Sequence, residues 1–133
     1  MSTRTLAVIA LLFAGACAGT PNGTVRVDLD EFKVTAKPSS IDAGPVRFEQ
    51  RNTGAVDHEL VVIRTGLSPE DLPLDGVEVD LKAKGLELAA RDEKIAKGST
   101  RTLRTTLTAG DYVLICNVPG HYQSGMRTRF VAR

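Results

Sequence analysis

Short stretches of alternating apolar and polar residues run along most of this chain, and turn formers divide them. Val25 and Val27 open a strand predicted to continue through Phe32 and Val34. Asp42-Ala43-Gly44-Pro45 reads as a turn into the next strand. There Val46, Phe48 and Gln50 share one face, with Arg47, Glu49 and Arg51 on the other. Asn52-Thr53-Gly54 ends that strand. Leu60 to Ile63 is a continuous apolar run, the pattern of a strand covered on both faces. Leu103, Thr105 and Leu107 alternate with Arg104 and Thr106. Ala109-Gly110-Asp111 then turns the chain into Tyr112, Leu114 and Cys116, with Val113 and Ile115 opposite. A last strand carries Met126, Thr128 and Phe130. Brief strands at this spacing predict an all-β sandwich or barrel.

The middle of the chain breaks the pattern. Ser68-Pro69-Glu70-Asp71 combines a cap residue, a proline at the first helical position and acids in the first turn. Pro73 stops such a helix within about a turn. A short helix is therefore expected within the long connection 66–84. Residues 82–97 read two ways. Leu86, Leu88 and Ile95 suit a strand, whereas Ala89-Ala90-Arg91-Asp92-Glu93-Lys94 has helix-forming composition.

The chain has 133 residues, enough for one core. Its 17 Lys and Arg face 16 Asp and Glu, so no basic surplus exists to neutralise phosphates, and nucleic-acid binding is excluded as an expectation. An immunoglobulin-like sandwich would show a cysteine pair and a core tryptophan. This chain has two cysteines, Cys17 and Cys116, and no Trp.

Cys17 lies in what reads as an export signal. Arg4 precedes the apolar run Leu6-Ala-Val-Ile-Ala-Leu-Leu-Phe13, which is too short to span a bilayer. Ala14-Gly15-Ala16 has the form of a cleavage site, and a second cut could follow Ala18. The segment also resembles a bacterial lipoprotein signal, with Cys17 as the lipidated residue, though Ala14 stands where Leu is usual. Residues 1–18 are thus expected to be a signal with cleavage near Cys17, 19–23 a polar tether, and 24–133 the domain. The protein is expected outside the cytoplasm, periplasmic or at the cell surface, secreted or lipid-anchored through Cys17. A Cys17–Cys116 disulfide would require Cys17 to escape processing.

Processing leaves His58, Cys116, His121 and Met126 as the domain's histidines, cysteine and methionine. Cys116-Asn-Val-Pro-Gly-His121-Tyr-Gln-Ser-Gly-Met126 sets a thiolate, an imidazole and a thioether in one tight loop, four residues between each. Pro119, Gly120 and Gly125 favour turns there. His58 opens a separate strand that a sandwich can bring alongside. Each residue alone has a plainer role: a surface or turn histidine, a buried thiol, a core methionine. Their joint spacing points instead to copper, because a His₂Cys trigonal set with a weak axial Met describes a blue-copper electron-transfer site. Structural zinc sites rarely use Met.

On these residues the sequence resembles the cupredoxins, the small blue-copper proteins. The shared pattern is the isolated His58, then C-x4-H-x4-M, entered through Gly110-Asp111-Tyr112-Val-Leu-Ile-Cys116. The resemblance implies a Greek-key β-sandwich and one mononuclear copper shuttling single electrons. His58 and His121 would be its imidazole ligands, Cys116 the thiolate and Met126 the axial thioether. Redox partner proteins would dock transiently near His121, where Val118 and Pro119 add apolar surface, and a monomer is expected. One departure stands out. Familiar members place Asn after the first ligand histidine, tying the two ligand loops together, whereas this chain has Glu59. Asn52 or Asn117 could supply such a tie, or it could be missing.

Other readings compete. Copper storage, delivery or resistance would use a related site, usually with extra Met or His, which are lacking here. A copper oxidase or nitrite reductase needs a further centre built from several more histidines, so no enzyme is expected. A metal-free adhesion sandwich would leave the spacing without a role. Tyr112 and Tyr122 suit packing better than an electron path. Asp57 and Glu59 read as solvated charges, and Arg104, Arg127 and Arg129 as a basic strand face.

Overall fold

A computed structural model describes residues 22–133, so the signal, its cleavage site and Cys17 lie outside the described residues. Gly23, placed in the tether by composition, opens the first strand. Eleven strands follow in chain order: β1 Gly23–Asp30, β2 Lys33–Lys37, β3 Ser40–Ile41, β4 Gly44–Asn52, β5 His58–Arg64, β6 Leu74–Asp75, β7 Glu78–Val79, β8 Glu87–Ile95, β9 Thr100–Leu107, β10 Gly110–Ile115 and β11 Arg127–Ala132.

They form two large sheets, ordered β2-β1-β4-β9 and β3-β11-β10-β5-β8, with β6-β7 as a separate hairpin. The alternation in β4 has the expected sense: Val46, Phe48 and Gln50 are buried, while their neighbours Arg47, Glu49 and Arg51 are more exposed. One core cluster joins Val25, Val27, Leu29 and Phe48 of the first sheet to Leu60, Val62, Leu114 and Phe130 of the second. Phe48 meets Phe130 edge to face across the sandwich, centroids 5.6 Å apart.

β5 is buried along nearly its whole length. Leu60 and Val62 face the sandwich core. Val61 and Ile63 face a second cluster with Leu72, Val79, Val113, Ile115 and Tyr122. The segment between β5 and β8 therefore covers the outer face of β5 and β10. That cover explains the continuous apolar run, because no face of β5 meets water.

Two local expectations fail, and the open reading of residues 82–97 resolves to a strand. The run from Val25 to Val34 is two strands, with a turn at Glu31 and Phe32. The short helix expected in 66–84 is absent: Ser68–Asp71 makes one turn, Asp71 N–H donating to Ser68 C=O, and the hairpin β6-β7 follows. Helix growth stops where the Leu72 N–H donates to the Tyr122 hydroxyl, which itself donates to Pro69 C=O. Residues 89–94 form the centre of β8, paired with β5, so tertiary pairing overrides their helical composition. Among the described residues the fold is all-β, and none of its elements is a helix.

Candidate metal centre

The ends of β5 and β10 lie side by side in an antiparallel pair, with Ile115 opposite Val61. His58 opens β5, and Cys116 directly follows β10. The loop from Cys116 then folds back on itself. His121 N–H donates to Val118 C=O, Met126 N–H to His121 C=O, and Cys116 N–H to Met126 C=O. Gly120, at φ +79°, and Gly125, at φ +120°, permit these turns. Adding a side chain at Gly125 would also press its Cβ to 3.0 Å from the Phe32 carbonyl.

This folding brings three expected ligands together. Cys116 Sγ lies 3.8 Å from His58 Nδ1 and 3.5 Å from His121 Nδ1, and the two Nδ1 atoms are 3.2 Å apart. Cys116 and His58 are buried, and His121 is partly exposed. Met126 is fully buried in the same core cluster as Cys116. The converging donors, one cysteine sulfur and two imidazole nitrogens, suit copper.

The surroundings prepare these donors. Burial pushes the Cys116 thiol up, against the lowering effect of the Glu59 and Val118 backbone amides. Glu59 N–H donates to Cys116 Sγ at 3.4 Å. Burial also pushes His121 down, aided by His58 nearby, which keeps its imidazole neutral and able to ligate. Behind His58, Glu31 Oε1 lies 2.9 Å from Nε2, off the line of a good ring N–H hydrogen bond. The other ring nitrogen, Nδ1, faces Cys116 Sγ and His121 Nδ1. Glu31 also accepts from Ala55 and Val56 N–H, holding the loop that delivers His58. The Phe32 ring stands edge-on to His121, centroids 5.3 Å apart.

A sulfocyanin (SoxE) domain profile matches residues 22–133. The chain belongs to the sulfocyanin domain family. Solved structures show the same fold. Auracyanin from the photosynthetic bacterium Roseiflexus castenholzii is 18% identical, with a TM-score of 0.59 over 86% of this chain and 99% of that one. Auracyanin A, a "blue" copper protein from Chloroflexus aurantiacus, is 21% identical, with a TM-score of 0.58 over 83% and 98%. Rusticyanin from Thiobacillus ferrooxidans is 19% identical, with a TM-score of 0.58 over 86% and 79%. No curated protein sequence matches this chain. The resemblance to the cupredoxins is thus carried by both the family match and the fold.

Within the sulfocyanin domain, neither asparagine supplies the expected tie between ligand loops. Asn52 Nδ2 donates to Val56 C=O and Ile95 C=O, fixing the His58 loop against β8. Asn117 exchanges two hydrogen bonds with the backbone of Val79. Glu59 is not a solvated charge: it is buried and paired with Arg91. The basic strand face also dissolves. Arg104 sits in the first sheet and Arg127 and Arg129 in the second, where Arg129 approaches Asp111 at 3.5 Å and Arg127 lies over Tyr122. Tyr112 and Tyr122 hydroxyls donate to Thr108 and Pro69 carbonyls, consistent with packing roles. Sequence reasoning missed Glu31 and Phe32 as site residues, because Phe32 reads as one more apolar strand position and Glu31 as an ordinary surface charge.

Proposed function

We propose that this sulfocyanin domain is an extracytoplasmic one-electron carrier, held on a Greek-key sandwich and using one mononuclear type 1 copper. Its ligands are His58, Cys116, His121 and Met126. The observation carrying this reading is the convergence of His58, Cys116 and His121 donor atoms, all within 4.8 Å of one another, at one end of a rigid sandwich. Copper bound there supplies a couple between its two oxidation states.

The protein's own residues make that couple useful. Cys116 and His58 are fully or nearly fully buried, so bulk water is kept from their donor atoms. The paired ends of β5 and β10 hold the same donors in place for both oxidation states, limiting rearrangement. His121 is the ligand closest to solvent, beside Phe32, which is 46% exposed. A redox partner can approach there briefly over a small apolar contact. Export through the expected signal, with or without lipidation of Cys17, would place the carrier outside the cytoplasm.

The test is spectroelectrochemistry of the mature protein after copper addition. One copper per chain and a visible band that bleaches and returns with one electron support the carrier. Tight Cu(I) binding without a coloured oxidised form supports copper handling instead. No binding supports a metal-free module.

A further inference from the structure

Glu59 occupies an unusual place for a carboxylate. It follows His58 directly, and its side chain is only 4% exposed. Its strand register explains why. His58 pairs with Ile95, but Leu60 pairs with Asp92, so the β5–β8 register slips by one residue across Glu59. Glu59 N–H turns to Cys116 Sγ. The side chain points to the outer face of β5, toward Arg91 of β8. Arg91 Nη2 donates to Glu59 Oε2 at 3.0 Å, and Nε donates to the same oxygen at 3.3 Å. The carboxylate also faces the Asn117 backbone, one residue beyond Cys116, although Oε1 has no aligned donor.

Stability alone gives little reason for such a pair. Arg91 stays 34% exposed, so the cost of leaving water falls on Glu59 while solvent weakens the attraction that offsets it. Location is the better explanation, because Glu59 directly follows His58 and its own N–H donates to Cys116 Sγ. A carboxylate there without a counter-ion would favour the more positive oxidised metal and lower the reduction potential. Arg91 cancels that field while leaving Glu59 fixed.

Resting on the carrier reading, we propose that Glu59 and Arg91 are a charge-balanced pair of positioning residues that sets the reduction potential of the copper. Glu59 does so from the segment joining His58 to the Cys116 hydrogen bond. Arg91 holds Glu59 in place and neutralises it.

Burial pushes the Glu59 carboxyl up, against the pairing with Arg91, so the test measures the reduction potential of the full copper-loaded chain and four variants at roughly pH 8, well above the ordinary carboxyl range. Glu59→Gln removes the negative charge but keeps an acceptor for Arg91, and it raises the potential. Arg91→Gln removes the positive charge and lowers it. Each shift is expected on the order of a tenfold change in the oxidised-to-reduced affinity ratio, about 59 mV for one electron. The double variant returns close to wild type, because no net charge has changed. Arg91→Lys keeps the charge and stays close to wild type, and with Glu59→Gln it carries the test if Arg91→Gln does not fold. Blue protein whose variants all leave the potential unmoved, or all shift it the same way, overturns the pairing while leaving the carrier reading intact. A wild-type chain that binds no copper overturns both.

Discussion

Glu31 shows how much one side chain outside the ligand set contributes to the centre. Its carboxylate accepts both Ala55 and Val56 N–H and lies against His58 Nε2. Those hydrogen bonds hold Glu31 below its ordinary pKa, the Ala55 amide most of all, so it stays a carboxylate in the neutral range. Replacing it removes one of the two side chains that anchor the His58 loop, Asn52 being the other, and takes away the carboxylate beside His58 Nε2. Glu31→Ala is expected to weaken copper binding by roughly 10–100-fold, in line with other residues that orient metal ligands. Competition titration against a chelator of known affinity measures this, and an unchanged affinity rules out the role. Cys116 sets a second expectation at this scale. Burial holds the proton on its sulfur, and copper must displace it. Affinity therefore falls as pH falls, by about tenfold per unit below the thiol pKa. The same titration at several pH values checks the slope, and a flat profile would exclude a thiolate ligand.

Among the elements, the segment before β8 departs from the expected helix, and β8 settles a stretch that reads as either strand or helix. Ala89 to Lys94 carries strong helix formers, but pairing with buried β5 leaves no alternative to a strand. The local cue at Ser68-Pro69 does produce its turn, and stops there because Tyr122 takes the next backbone group. That hydroxyl is the staple for the cover over β5. Tyr122→Phe leaves the buried Leu72 N–H and Pro69 C=O without their partner, at a cost of about 1–3 kcal/mol. Hydrogen exchange at Leu72 should speed up, while copper still binds because no proposed ligand is changed. Unchanged exchange at Leu72 would show that the cover is held elsewhere. The strands β4 and β9 are legible because they alternate with one face on the core, whereas β10 is legible from its turn and apolar run and is covered on both faces. The turn dividing β1 from β2 was hidden because Phe32 continues the apolar pattern while standing half exposed beside His121.

For the whole molecule, the sandwich explains which parts of the centre could be read from sequence. Cys116, His121 and Met126 share one closing loop, so their spacing survives in the linear order. His58 was legible because the domain's sparse histidines leave few alternatives. Glu31 and Arg91 carry no such signal. They arrive from the β1–β2 turn and from β8, and only the packed sheets place them behind His58 and Glu59. The proposed copper site takes His58 from β5 and Cys116, His121 and Met126 from one closing loop. The visible absorption spectrum of the copper-loaded mature protein, recorded beside Cys116→Ser, tests it most directly. An intense thiolate-to-copper band in the native protein, absent from the variant, is the predicted result. A native protein that takes up copper without that band, or a variant that keeps it, would contradict the account.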